Sequence, residues 1–315
     1  MIFLLQQMLF FSMPLLVVAV GGLYSEKSGI VNIALEGLMI FGAFCGILFL
    51  FFMEGRMDGQ LTLVIALLIA TSGGMLLGLM HAYASVSMKA NQAISGMALN
   101  IIAPAMAVFI AREVTPSELI PFRQRFQIRS IPVLSEIPFI GPVLFERAYI
   151  TTYVALVVFL ISIVVILKTR FGLRLRASGE HPHALDAAGV NVKRVRYASV
   201  LISGALAGLG GMVFFIPTAV EFSAEVSGYG FLAIAVLVFS KWNIKRIILI
   251  SFFFGLMQTI GAAYGSLIFF RDIDWIAGEF YKMLPYVATL VVLAFSKGAS
   301  PAPSAIGVPY DVSDR

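Results

Sequence analysis

Apolar positions along this chain follow one another in long runs, without the strict alternation of a half-buried strand. The runs are Ile2–Leu23, Gly37–Met53, Leu61–Ser87, Gln92–Ala111, Tyr149–Leu167, Tyr197–Val220, Ile247–Phe270 and Tyr281–Phe295. A helix needs about 20 apolar residues to cross a bilayer, and most of these runs reach or approach that length. A membrane β-barrel would alternate over segments of about ten residues instead. The pattern therefore predicts an all-α, polytopic transmembrane bundle forming one domain over residues 1–315. Two stretches are ambiguous. Gly228–Ser240 is short for the bilayer core and fits a thin or broken span. Ser28–Leu35, SGIVNIAL, either extends the second helix or forms a half-helix. The expected count is about eight to ten spans.

Composition agrees with that reading. Hydrophobic residues make up 60% of the chain and charged residues 12%, against about half and about a quarter in soluble domains. A soluble fold could not hide so much apolar surface. The net charge of +5 is not a nucleic-acid signal here, because the basic residues sit in short connections between apolar runs. Lys168–Arg196 carries Lys168, Arg170, Arg174, Arg176, Lys193, Arg194 and Arg196 against Glu180 and Asp186; Lys241, Lys245 and Arg246 crowd a second connection. The positive-inside rule puts both in the cytoplasm. Arg112–Ala148, with five arginines, four glutamates and several prolines, is expected outside. The stretch Ser296–Arg315 reads as a loose cytoplasmic tail. The first residues, MIFLLQQMLFFSMPLLVVAV, lack a basic n-region and a small-residue cleavage site, so they read as a retained span. Counting spans back from the tail puts the first residue outside, or inside if Ser28–Leu35 adds a crossing.

The chain shows no nucleotide-hydrolysing or metal chemistry of its own, so active transport would draw on another subunit or an ion gradient. It contains no G-x-x-x-x-G-K-[ST], H-E-x-x-H or C-x-x-C, and its single cysteine, Cys45, lies in an apolar run. Catalytic residues, metal ligands and a bound cofactor are therefore not expected. His181 and His183 alone make a poor metal site.

Polar residues inside the apolar runs carry the remaining information. In GGLYSEKSGIVNIALEG, small residues break helical regularity, and Asn32 and Glu36 then sit four apart on one helical face. An ionisable group there marks a functional site by default, or braces a neighbouring helix. In NQAISGMALN, Asn91 suits an N-cap, and Gln92, Ser95 and Asn100 share one side. They line a pathway or bind helices together, the second role fitting Ser95 better. In RFGLRLRASGEHPHALDAAGVNVKRVR, Pro182 suits a first helical turn and Gly189 a helix end. A short helix basic at both ends is what a cytoplasmic motor would grip. Gly204 and Gly208 in SGALAGLGGM form a G-x-x-x-G pair for tight helix crossing. Gln258 and Tyr264 do not share one narrow stripe; they are weak candidates for lining a cavity, and interhelical hydrogen bonding fits them better.

Together these segments resemble one family. SEKSGIVNIALEGLMIFGAF resembles the signature of the branched-chain amino acid, ribose and nucleoside class of ABC importer permeases, most similarly the shorter permease of nucleoside importers. NQAISGMALN, GEHPHALDAAGVNVKRVRYASVLISGALAGLGGM and GYGFLAIAVLVFSKWN resemble the same class at three further places, in the right order. The chain departs from the family where His181 replaces an asparagine before the proline. It departs again where Ser240 and Lys241 replace a glycine–basic pair, with no proline after that loop. The resemblance implies a multi-pass permease in the bacterial cytoplasmic membrane that moves nucleosides, purine nucleosides above all, by alternating access. Asn32, Glu36, Gln92 and Asn100 would line or gate the passage, with Gln258 added to these pathway candidates from its place in an apolar run. Glu180, Pro182, Asp186, Ala187, Ala188 and Gly189 would couple it to an ATPase. The implied partners are a cytoplasmic ABC ATPase, fused as a tandem and using ATP and Mg, a second unlike permease, an extracytoplasmic substrate-binding lipoprotein and membrane lipid. A simple sugar is the alternative cargo. The rival class is an ion-coupled secondary transporter, which would need a titrating or cation-binding cluster in the membrane. An intramembrane enzyme would need a nucleophile–base pair or a metal constellation that the sequence lacks.

Overall fold

The computed structural model describes residues 2–116, 118–122, 126–138, 140–263, 283–295 and 302–311. The described helices are α1 (Ile2–Lys27), α2 (Leu35–Met53), α3 (Gln60–Ala82), α4 (Gln92–Val114), α5 (Ile140–Leu144), α6 (Ile150–Lys168), α7 (Arg170–Glu180), α8 (Pro182–Ala187), α9 (Val192–Thr218), α10 (Tyr229–Phe239), α11 (Ile244–Ala263) and α12 (Leu284–Phe295). A π-helical turn, Tyr83–Ser87, extends α3. Seven described helices are long and apolar enough to cross a membrane: α1, α2, α3 with its extension, α4, α6, α9 and α11. The ambiguous stretch at 228–240 is a short helix of 11 residues. Ser28–Ala34 is neither a crossing nor part of α2 but an irregular break between two helices.

The 27-residue α9 is the axis of the bundle, packed against α1, α2 and α3. Small residues make this possible. A Cβ built on Gly208 would fall 2.3 Å from the Ala70 carbonyl oxygen, and one on Gly74 would fall 2.3 Å from that of Gly204. No side chain fits there, so the backbones of α3 and α9 touch directly, as the G-x-x-x-G spacing predicts. Residues Leu15–Val20 of α1 are fully buried. Leu68, Leu76, Ile101, Phe109, Leu160 and Leu249 are exposed and suit contact with lipid tails.

The two ends of the bundle differ. At one end the Gln6 side chain donates to the carbonyls of Pro142 (2.6 Å) and Glu146 (3.0 Å), and Gln60 donates to Phe126 (3.0 Å). The starts of α1 and α3 thus lie beside the long connection that follows α4. Two small antiparallel pairs close this end. Strand β1 (Ile120–Pro121) pairs with β4 (Glu221–Phe222), and β2 (Ile128–Ser130) with β3 (Glu146–Ala148). At the other end lie Lys27, α7, α8 and the Lys241–Arg246 connection, so this is the basic face. Residues 302–311 also pack there, tied to Gly29 and Gly179. The loose tail expected from its prolines is, over these residues, a bound segment.

Candidate functional site

The break between α1 and α2 poses a physical problem. Backbone N–H and C=O groups inside a membrane must be satisfied by the protein itself. Gly29 turns the chain with φ +94°, and the segment that follows cannot form helical hydrogen bonds. Side chains from the surrounding helices supply them instead. Ser25 Oγ donates to the Ile30 carbonyl at 2.8 Å. Gln92 Oε1 accepts the Val31 amide at 2.7 Å. His81 Nε2 lies 3.0 Å from the Val31 carbonyl and its Nδ1 lies 3.1 Å from Ser95 Oγ. A carbonyl only accepts, so Nε2 carries the proton and Nδ1 accepts from the serine hydroxyl. Asn100 Nδ2 donates to the Ile33 carbonyl and its Oδ1 accepts the Gly37 amide, both at 2.8 Å. Asn32 Oδ1 accepts the Ala34 amide at 3.1 Å while Nδ2 donates to Ser203 Oγ on α9 at 2.8 Å. Ser178 of α7 donates to the Ser28 carbonyl at 2.9 Å.

A second discontinuous helix meets the first. Gly228, at φ +76°, turns the chain into α10. Glu36 Oε1 accepts the Gly228 amide at 2.9 Å and Oε2 accepts the Gly230 amide at 2.6 Å. Glu36 also lies in the first turn of α2. One carboxylate therefore faces the positive ends of two helices, where a negative charge is favoured. The approach is close: a Cβ on Gly230 would fall 2.3 Å from the Glu36 backbone nitrogen. Just beyond the other end of α10, the Trp242 indole N–H donates to the Glu26 carboxylate near the end of α1. The 11 residues of α10 rise about 16 Å. That sets Glu36 about half of the ~30 Å hydrocarbon core away from the basic face. Tyr286 of α12 donates to the Ser227 carbonyl at 3.1 Å beside it.

Four of the five expected pathway residues, Asn32, Glu36, Gln92 and Asn100, thus gather around one break. The shared helical face drawn for Asn32 and Glu36 is corrected, because Asn32 precedes the helix and its side chain goes to α9. Gln92, Ser95 and Asn100 do work together, since all three turn toward the break or its histidine. Gln258 is half-buried on α11, and among the described residues no hydrogen bond ties it to the break. Tyr264 lies outside the described residues. Sequence reasoning missed His81, Ser203 and the Glu26–Trp242 pair. An intramembrane histidine is a signal in itself, whereas Ser203 is hidden in a run of small residues.

The basic face carries the other candidate group. Thr169 caps α7, its Oγ1 accepting the Gly172 amide at 3.1 Å. His181 leaves the helical region at φ −142°, and Pro182 opens α8. Gly189, at φ +79°, ends the turn, as expected. Glu180, Ala187, Ala188 and Gly189 are exposed, Pro182 and Asp186 are half-buried, and only Leu185 of α8 is buried. Ala187, Ala188 and Gly189 are exposed at the end of α8, while α7 is anchored: a Cβ on Gly179 would fall 2.4 Å from the Lys27 carbonyl oxygen. A cavity of about 670 Å³ opens at the opposite end, lined by Phe122, Phe126, Gln127, Tyr149 and Glu221 among others. None of the expected pathway residues lines it.

Comparison with known proteins gives a consistent result. Residues 4–293 match the family described as "Branched-chain amino acid transport system / permease component". The chain is 40% identical over 307 residues to the guanosine ABC transporter permease protein NupQ of Bacillus subtilis, covering 96% of this chain and 94% of NupQ. It is 38% identical over 304 residues to the nucleoside ABC transporter permease protein NupC of Lactococcus lactis, covering 96% and 95%. A more distant match, 28% over 221 residues, is the guanosine ABC transporter permease protein NupP of Bacillus subtilis, covering 68% of this chain and 60% of NupP. No solved structure matches the chain.

Proposed function

The chain belongs to the branched-chain amino acid transport system permease family, and from that premise we propose that it is one of two unlike membrane-spanning subunits of an ATP-driven nucleoside importer. It is a multi-pass protein of the cytoplasmic membrane and a permease, not an enzyme. The near full-length likeness to permeases named for guanosine and nucleoside transport carries the cargo reading. NupP and NupQ, two different permeases of one organism named for the same cargo, support a heteromeric pair.

In this reading the basic face is cytoplasmic, by the positive-inside rule. A separate ATPase subunit, a fused tandem, binds ATP and Mg there and grips the α8 tip at Ala187–Gly189. An extracytoplasmic lipoprotein delivers cargo to the opposite end. Asn32, Glu36, Gln92 and Asn100 gate the passage by holding two half-helices in register. ATP binding favours one access state and hydrolysis resets it, a population shift driven by differential contacts at the motor. Anchoring of α7 to Lys27 and Ser28 gives motor movement a direct route to the break.

The test is ATP hydrolysis and tritiated guanosine uptake by the assembled transporter in proteoliposomes. Guanosine-loaded lipoprotein should stimulate hydrolysis, and Ala187→Arg should abolish that stimulation. Uptake that persists without ATP and collapses with an uncoupler would establish the secondary-transporter reading instead.

A further inference from the structure

Residues 302–311 lie across the basic face and touch nearly every element that the coupling mechanism requires to move. The Ala305 amide donates to the Gly179 carbonyl at the end of α7 (2.8 Å), and two residues later the Gly307 amide donates to the Gly29 carbonyl in the break (3.0 Å). Ser304 is bound to Glu180 from both its amide and its hydroxyl. Arg196, near the start of α9 and almost fully buried, donates to the Val308 carbonyl at 3.0 Å. Asp311 pairs with Lys89 in the turn between α3 and α4. The buried ring of Tyr310 packs with Leu185 and Val192, 5.2 Å from the His183 ring. Leu185 is the only buried side chain of α8. The coupling helix therefore rests its apolar side on the end of this segment as well as on the first residue of α9.

That arrangement is more than packing of a terminus. One short segment joins the two halves of the coupling hairpin to the hinge between α1 and α2, to the bundle axis and to the α3–α4 turn. A force on the α8 tip reaches the break by α7, through Ser178 and Gly179, and by this segment, through Tyr310 and Gly307. We propose that residues 302–311 form a strap that transmits motion of α8 to the break, with Tyr310 as the positioning residue that seats α8 on it. The proposal rests on the importer reading above and adds a second transmission route to it.

The test compares wild type, Tyr310→Ala and Tyr310→Phe in the assembled transporter, with both permeases, ATPase and lipoprotein. The readout is tritiated guanosine transported per ATP hydrolysed, with subunit co-purification measured alongside. Tyr310→Ala should lower that ratio at least fivefold while all subunits still co-purify. Tyr310→Phe keeps the ring and should stay within twofold of wild type. An unchanged ratio in Tyr310→Ala overturns the strap and leaves the importer reading standing. Loss of the ATPase from the Tyr310→Ala complex also overturns it, since the segment would then serve assembly and not transmission. If wild type shows no ATP-driven uptake, the importer reading fails and the strap role falls with it.

Discussion

Glu36 accepts the amide of Gly230 at 2.6 Å, which ties the first turn of α2 to the first turn of α10. Each helix start carries N–H groups with no partner in its own helix. In water those groups would be solvated; about half-way through a membrane they need a fixed acceptor. The Glu36 carboxylate, carried by α2, serves the start of α10 by accepting the Gly228 and Gly230 amides, while Asn100 accepts the Gly37 amide of α2; the charge on Glu36 is favoured by both helix dipoles. The bond is therefore a structural brace between the starts of the two helices.

Removing that carboxylate should uncouple them. Glu36→Ala orphans the Gly228 and Gly230 amides, at about 1–3 kcal/mol for each buried group left unpaired. Glu36→Gln keeps one acceptor and turns an amide NH₂ toward the other N–H. Guanosine uptake by reconstituted transporter should fall at least tenfold in Glu36→Gln and vanish in Glu36→Ala. Wild-type uptake in Glu36→Ala would sink the brace.

Asn32 and Ser203 offer a cleaner energetic test. Their side chains meet at 2.8 Å between the break and α9, and both residues are fully buried. A double-mutant cycle with Asn32→Ala and Ser203→Ala should return a coupling of about 0.6 kcal/mol and no more than about 1.7, the range for hydrogen bonds between membrane helices. Denaturation in mixed micelles measures it. Strict additivity would mean the bond contributes nothing net.

The α3–α9 crossing should tolerate no side chain. Gly208→Ala puts a methyl 2.3 Å from the Ala70 carbonyl oxygen, which forces the helices apart at about 1–3 kcal/mol. Gly208→Leu should prevent folding. Thermal unfolding in detergent would report the first as a lower Tm and the second as aggregated protein.

Trp242 and Glu26 hold the far end of α10. Glu26 is 6% exposed, and the indole N–H is a donor that phenylalanine lacks. Trp242→Phe should cost about 1–3 kcal/mol through the carboxylate left unpaired. Glu26→Gln, which retains an acceptor oxygen, should cost less. Equal losses in the two variants, read from the same unfolding curves, would argue that packing of the ring dominates.

Much of the fold was legible in the sequence because hydrocarbon imposes a one-dimensional rule. The lengths of apolar runs mark α1, α3, α4, α6 and α9, and each is found close to its predicted bounds. Local backbone chemistry was equally readable: Asn91 caps α4 by accepting from Ala93 and Ile94 at 3.0 and 3.1 Å, Pro182 opens α8 and Gly189 ends it. Gly204 and Gly208 announced a crossing without saying which helix crosses there.

The sequence by itself determined that the chain lives in lipid, where most of its helices run, and which polar residues interrupt its apolar runs. Only the tertiary structure decided what those residues do. Asn32 and Glu36 are neighbours in sequence but serve different helices, and His81 and Ser95 act as one unit from α3 and α4. The bound segment at 302–311 looks disordered from its prolines and small residues. The reason is physical: a run's affinity for hydrocarbon is a sum over its own residues, whereas the satisfaction of a buried carbonyl or amide depends on a partner that may lie 171 positions away, as Ser203 does from Asn32.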